Sequence, residues 1–224
     1  MPIALEVAAT IRAQIEEFAG SSPFRRLESG AATRDEIDRF LLAVARVHLP
    51  SPRYVAFLYA LAPPASEAAL ERNLLEELGR ERSGEPSHPE LLRALLRAAG
   101  LGDQIARVES EAEEEFRRAV ARPLPFATLR DFAFGALCEV VAVETLLATT
   151  SAAIARALAR HRGIADAGLA WFLHHSEVDV VHAQQGLAAI DAFAAHYGID
   201  DEAARAVVRA VFRENVFLRR YFAP

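Results

Sequence analysis

At 224 residues, with 52% hydrophobic content and a formal net charge of −6, the chain has enough apolar material for one substantial core and lacks the clustered basic charge of a nucleic-acid footprint. The single cysteine, Cys138, excludes an internal disulfide and a Cys-rich zinc site, and the absence of any lysine excludes Schiff-base chemistry. There is no N-terminal basic stretch leading into an apolar segment and no run of about 18 uncharged apolar residues, so the expectation is a cytoplasmic single domain over residues 1–224 that partners neither membrane nor nucleic acid.

Nearly every segment reads with helical period and none alternates over a strand length, which predicts an all-α bundle of seven to nine helices. LEVAATIRAQIEEF opens as an amphipathic helix, and TRDEIDRFLLAVARVHL is a second that stops at Pro50 and Pro52. RYVAFLYAL is a short apolar helix ended by APP. SEAALERNLLEELGRER begins at Ser66, a good N-cap residue, and gives way to the polar loop RSGEPS. Ser87 and Glu90 form an S-x-x-E capping box for HPELLRALLRAAG, which Gly100 closes. Asp103 is placed to cap the next helix, whose stripe is Ile105, Val108, Ala112, Phe116 and Ala119, with the acidic run ESEAEEEF as its solvated face. FATLRDFAFGALCEVVAVETLLATTSAAIARAL is apolar almost all round and should be central. GLAWFLHHSEVDVVHAQQGLAAIDAFAAHYG follows it, and DEAARAVVRAVFRENVFLRRYF ends the chain.

A buried carboxylate costs several kcal/mol unless it is paired, protonated or metal-bound, so carboxylates within apolar stripes are the informative ones. Glu139 and Glu144 of the central helix are five positions apart, about 140° on the helix wheel, and are not expected to face one cavity. Either needs a partner that its own helix lacks. Glu76, with Arg72 and Arg80 one turn to either side, reads as a solvated ion-pairing residue. Glu77 lies on the stripe of Leu70, Leu74 and Leu78 and reads as buried, with Glu81 one turn further on. His88 sits on the side of Leu91, Leu92 and Leu95 and points toward the core.

HHSEVDVVH, residues 174–182, supplies the densest cluster. His175, Asp179 and His182 are spaced i, i+4, i+7 and fall within about 60° on one helix face, where their charges require mutual compensation. His174 points about 100° away and reads as packing or support for its neighbours. His48, His161 and His196 read as structural or exposed, and Cys138 as an inert buried thiol. Glu77, His88, Glu144, His175, Asp179 and His182 thus converge from four helices on one interior, a mixed set that suits iron or manganese. Phe132, Phe134, Trp171 and Phe172 would shield it from water, and Arg53, Arg209 or Arg213 could pair a substrate carboxylate.

The order NLLEELG, loop, HPELL, a Glu in an apolar helix and HHSEVDVVH resembles the haem-oxygenase-like dimetal oxidases, within the fold shared by haem oxygenase and the thiaminase-like proteins. The likeness runs from SSPFRRLESG, residues 21–30, to the C-terminus. It implies that Glu77 and His88 bind one iron with His175, while Glu144, Asp179 and His182 serve a second iron or bridge the pair. Glu81 or Glu85 are alternatives to Glu77, and Asp179 either binds metal or orients a ligand. The implied cofactors are two Fe(II), with manganese as the alternative, and O2 as cosubstrate. The implied partners are a small amino-acid-derived or carboxylic acid substrate and an external electron donor; a homodimer is expected only as the commonest form of soluble oligomers. Related enzymes oxygenate amine nitrogens, cleave C–C or C–N bonds, or decarboxylate fatty acids. Haem binding is not expected, because no His precedes His48; nor is formation of para-aminobenzoate from the chain's own side chains, because no Tyr precedes Tyr54 and no Lys is present. The competing readings are a metal-free thiaminase-like hydrolase or ligand-binding protein and a ferritin-like bundle. The second lacks paired Glu-x-x-His motifs on two long helices.

Overall fold

The computed structural model describes residues 2–81, 84–121 and 128–222. Among these residues the chain is all helical: nine helices of ten or more residues, two shorter ones and one 3-10 turn, around one continuous hydrophobic core. The first part of the RSGEPS loop and the expected start of the central helix at Phe126 lie outside the described residues.

Helix α1 (Ile3–Gly20) buries Val7, Ile11 and Phe18 at helical spacing, and α2 (Ser22–Ser29) is capped by the Ser21 side chain. A capping box of Thr33 and Glu36 starts α3 (Arg34–His48), and prolines at 50 and 52 set off α4 (Ser51–Ala60). Helix α5 (Glu67–Glu77) is shorter than its periodicity suggests. Ser66 precedes it without a side-chain cap, and the chain leaves the helix at Gly79, which has φ of +65°. The Ser87–Glu90 capping box starts α6 (His88–Ala98) as expected. Asp103 does not cap α7 (Ile105–Ala121), because it is taken into the 3-10 turn Gly102–Gln104 that leads into that helix. Helices α8 (Leu129–Arg162), α9 (Asp166–His196), α10 (Asp201–Val211) and α11 (Val216–Tyr221) complete the bundle.

Helix α8 is central, packed on α9 along its length and on α10, α4, α2 and α1 besides. By length and composition it could cross a membrane; only the two glutamates interrupt its apolar run, and half of its most apolar stretch is buried inside the bundle. Two glycines let α9 close on its neighbours. A Cβ at Gly168 would lie 2.4 Å from Ala98 Cβ of α6, and one at Gly186 would lie 2.5 Å from Val141 Cγ2 of α8. The terminal helices are clasped by Gln14, whose amide donates to the carbonyls of Phe212 and Glu214 and accepts from the Val216 N–H. Gly186→Ala should therefore destabilise the protein by about 1–3 kcal/mol through overpacking. Urea denaturation would read this as a lower midpoint at unchanged m; an unchanged midpoint would show that the helices can separate at no cost.

Candidate metal centre

The site is built where the ends of α5 and α6 meet the middle of α8 and α9. Because Gly79 turns the chain back immediately after α5, the loop returns against its own start. A Cβ on Gly79 would sit 2.7 Å from both the Glu85 carbonyl oxygen and the Ser87 nitrogen. The Ser87–Glu90 box then fixes the first turn of α6 and delivers His88 beside Glu77, with Nδ1 3.1 Å from Glu77 Oε1. Glu81 and Glu85 are exposed. Leu78 is exposed as well, so the stripe that pointed to Glu77 was incomplete, although Glu77 itself is buried.

All six residues singled out from the sequence are drawn to one interior. Glu77, Glu144, His175, Asp179 and His182 line a cavity of about 430 Å³, and His88 stands behind Glu77 with its ring centroid 4.5 Å from that of His175. Two further residues join them. Glu76 is buried, its carboxylate 3.1 Å from His174 Nε2 and 2.9 Å from His182 Nε2. The solvated reading of Glu76 fails because its carboxylate turns inward to the two histidines of α9 and away from Arg72, and because α5 ends at Glu77, so Arg80 is not one helical turn away. His174 lies 5.0 Å, ring to ring, from His88. Ligand atoms of Glu76, His88 and His174 lie within 4.8 Å of one another, as do those of Glu77, His88 and His175. His88 is common to both sets.

Supporting contacts orient several of these groups. Ser51 Oγ donates to Glu77 at 2.6 Å, and the Asn73 amide donates to Glu144 at 2.7 Å. His175 Nδ1 donates to the Trp171 carbonyl at 2.7 Å, which fixes the tautomer and leaves Nε2 unprotonated to face the cluster. Burial, reinforced by His88, holds the His175 imidazole well below its ordinary pKa and so neutral. Burial pushes Glu144 up to about 8, with the Asp179 charge adding to it, and Asp179 up to about 7 against the pull of His182. Desolvation alone would lower His182, but its contacts with Asp179 and Glu76 outweigh it and raise the imidazole to about 10. Burial works to raise Glu76, yet the His174 and His182 imidazoles beside it hold it well below the usual carboxylate range.

This internal pairing leaves a remainder. Both ring nitrogens of His88, His174 Nε2 and Asp179 Oδ2 are buried without a hydrogen-bond partner, the ion-pair distances at His88 and His174 being out of line for hydrogen bonds. Buried polar atoms are normally satisfied, and leaving one unpaired costs about 1–3 kcal/mol. Nitrogen and carboxylate donors converging with lone pairs unused are what a borderline-hard cation such as iron requires. A family model of iron-containing redox enzymes matches residues 38–214. The chain belongs to this family. No curated protein matches it. The chain is therefore an oxidoreductase of the haem-oxygenase-like fold, and its own histidine and carboxylate cluster is able to hold metal.

The cavity extends beyond the cluster between walls of Val140, Val143, Leu147, Val207 and Val211, with Phe132 beside them. Glu139 and Glu144 both reach it, contrary to the helix-wheel expectation. Five residues separate them by about 7.5 Å along the axis, and the cavity runs lengthwise, so each serves a different end. Glu139 finds its partner in Arg220 of α11, Nε to Oε1 at 2.7 Å. Of the arginines proposed from the sequence, Arg53 pairs with Glu113 at the surface, and Arg209 and Arg213 are exposed. Arg220 could have been found as Glu77 was, since Val216 and Phe217 precede it by one turn on a buried face. Cys138 is buried off the cavity, its thiol pushed up to about 12 by desolvation, as an inert core residue would be.

A carboxyl whose pKa is higher folded than unfolded contributes stability that is fully present at low pH and is lost as pH rises from the unfolded toward the folded value. For Glu144 that window runs from the ordinary 4.5 to about 8. In chelator-treated protein, Glu144→Gln should therefore gain stability relative to the wild type as pH is raised from about 5 to about 8. Urea melts at both pH values check this, and a gap that does not move with pH would place Glu144 in contact with water.

Proposed function

We propose that this chain is an O2-dependent non-haem diiron oxidase or oxygenase acting on a small substrate that carries a carboxylate or amine. The observation that carries the reading is the position of His88 between two separate carboxylate and histidine sets, Glu76 with His174 and Glu77 with His175. One ion would require only one of them. Glu76, His174 and His182 would face one Fe(II) and Glu77, His88 and His175 the other, with Glu144 and Asp179 completing or bridging the pair; Mn(II) is the alternative occupant. Ferrous iron, when bound, supplies the one-electron steps by which O2 reacts with a closed-shell organic molecule.

The remaining work falls to the chain's own residues. Ser51 and Asn73 hold the Glu77 and Glu144 carboxylates in place, so that little reorganisation is needed when charge on the site changes. Glu144, pushed up by burial in the metal-free site, would give up its proton as a cation binds, so that loading of the site and its charge are coupled. The valine and leucine walls exclude water from the reacting end and accept the apolar body of a substrate. At the far end, the Glu139 and Arg220 pair offers a carboxylate and a guanidinium to an ammonium or carboxylate head group. The metal-free thiaminase-like alternative requires a reactive cysteine, and Cys138 neither lines the cavity nor ionises readily.

Anaerobic loading with Fe(II) should give about two irons per chain, as expected of a dimetal bundle site. His88→Ala should lose both sets' common member and retain markedly less iron at unchanged helical content, while His182→Ala should abolish O2-dependent turnover. Full iron retention by His88→Ala would sink the two-set assignment, and no iron in the wild type would sink the reading altogether.

A further inference from the structure

We propose that Trp171, His48 and Tyr221 form a relay that passes single electrons from a second cavity to the metal centre. The inference rests on the iron reading above but concerns residues outside the ligand cluster. Trp171 lies against His175, ring centroids 4.3 Å apart, and its backbone carbonyl accepts the His175 Nδ1 hydrogen bond. The His48 ring is 4.9 Å from Trp171 on the other side. His48 in turn stacks on Tyr221 at 5.9 Å, and its Nε2 lies 2.6 Å from the Tyr221 hydroxyl, the nitrogen placed to accept that proton in the Nδ1–H tautomer. Tyr221 then lines a cavity of about 200 Å³ together with Phe40, Phe222, Arg39 and the ion pair of Arg26 with Glu36. The series is continuous in van der Waals contact from the cluster to that cavity, and electron transfer is fast over such contacts and falls steeply across gaps.

The residue types matter as much as the spacing. The chain has 13 Phe, 4 Tyr and 1 Trp, and Phe fills most of the fully buried aromatic positions. Its single Trp and the one buried Tyr among the described residues, the two core side chains that lose an electron most readily, both fall in this series. The Trp171 indole N–H is buried without an acceptor. Such a contact makes poor sense as packing, since it leaves a polar group unsatisfied. It makes good sense in a relay: an oxidised indole that cannot shed its proton stays a strong oxidant and hands the vacancy on instead of trapping it.

The steps balance. Trp171 gives one electron to a centre that O2 has oxidised and becomes a radical cation. Tyr221 restores Trp171 with one electron while its hydroxyl proton moves to His48 Nε2, leaving a neutral tyrosyl radical and an imidazolium. Burial keeps His48 neutral beforehand, its pKa lowered to about 3, so the nitrogen is free to accept and quick to return the proton. A small one-electron reductant of the enediol class, of which ascorbate is the probe, then reduces Tyr221 from the second cavity and His48 gives the proton back.

The test is to mix anaerobically Fe(II)-loaded protein with O2 in the absence of substrate, freeze at intervals and record electron paramagnetic resonance. A tyrosyl signal is expected in the wild type, lost in Tyr221→Phe, slowed in Trp171→Phe and quenched faster with ascorbate; circular dichroism checks that both variants fold. Peptide mass spectrometry after repeated cycles should find oxygen adducts at Trp171 and Tyr221 before the other tyrosines. Iron that binds and oxidises normally while no signal or adduct forms on either residue would overturn the relay and leave the iron reading standing. A wild type that binds no iron would overturn both, and the two failures are told apart by the iron content of the same samples.

Discussion

An apolar helix pair that encloses ionisable groups must compensate them from within, and the rest of this structure follows from that requirement. Helices α8 and α9 pack along their lengths with Gly186 against Val141, a contact too close to admit water or a longer side chain. Into this interior α9 projects His175, Asp179 and His182, and α8 projects Glu144. His182 is the one basic group that α8 and α9 themselves bring to these carboxylates, against Asp179 at 3.5 Å, and no arginine of α8 pairs with them among the described residues. The remaining partners have to come from elsewhere in the fold, and α5 and α6 bring them: Glu76 to His182, Asn73 to Glu144, and Glu77 with His88 to His175.

The compensation is incomplete in a specific way. His182 and Glu76 satisfy one another, whereas His88 keeps two buried nitrogens and Asp179 one buried oxygen without partners. A polar network selected only for stability would be expected to close on itself, because half-satisfied networks cost more than an apolar core. Here the unpaired nitrogens of His88 belong to a residue whose donor atoms lie within 4.8 Å of those of Glu76 and His174 and of Glu77 and His175, which is the arrangement of a binding site whose occupant completes the pairing.

The fold and most of the cluster could be read in the amino-acid order because both rest on local rules. Helical period, the Ser87–Glu90 box and the i, i+4, i+7 spacing of His175, Asp179 and His182 act over one or two turns. What escaped the sequence depends on where helices stop and what crosses between them. Glu76 reads as solvated from Arg72 and Arg80 at helical spacing, but α5 ends at Glu77, which removes Arg80 from the face, and the carboxylate turns away from Arg72 to two histidines of α9. Arg220 reaches Glu139 from 81 residues away, a pairing that no periodicity encodes. The helix wheel separated Glu139 from Glu144 correctly in angle, but it carries no information on a cavity that runs along the axis.

The position of α11 has a consequence for how such a protein can change. Every residue of the candidate cluster lies within residues 38–214, the span that the family shares, while Arg220 and Tyr221 lie beyond it on a helix clasped to α1 through Gln14. Part of the cavity's far end is thus carried on a stretch of chain outside the one that supplies the cluster. A substitution at Arg220 changes the charge that the cavity presents without touching any residue of the cluster, which gives evolution one place to vary what is admitted while the histidines and carboxylates are held constant.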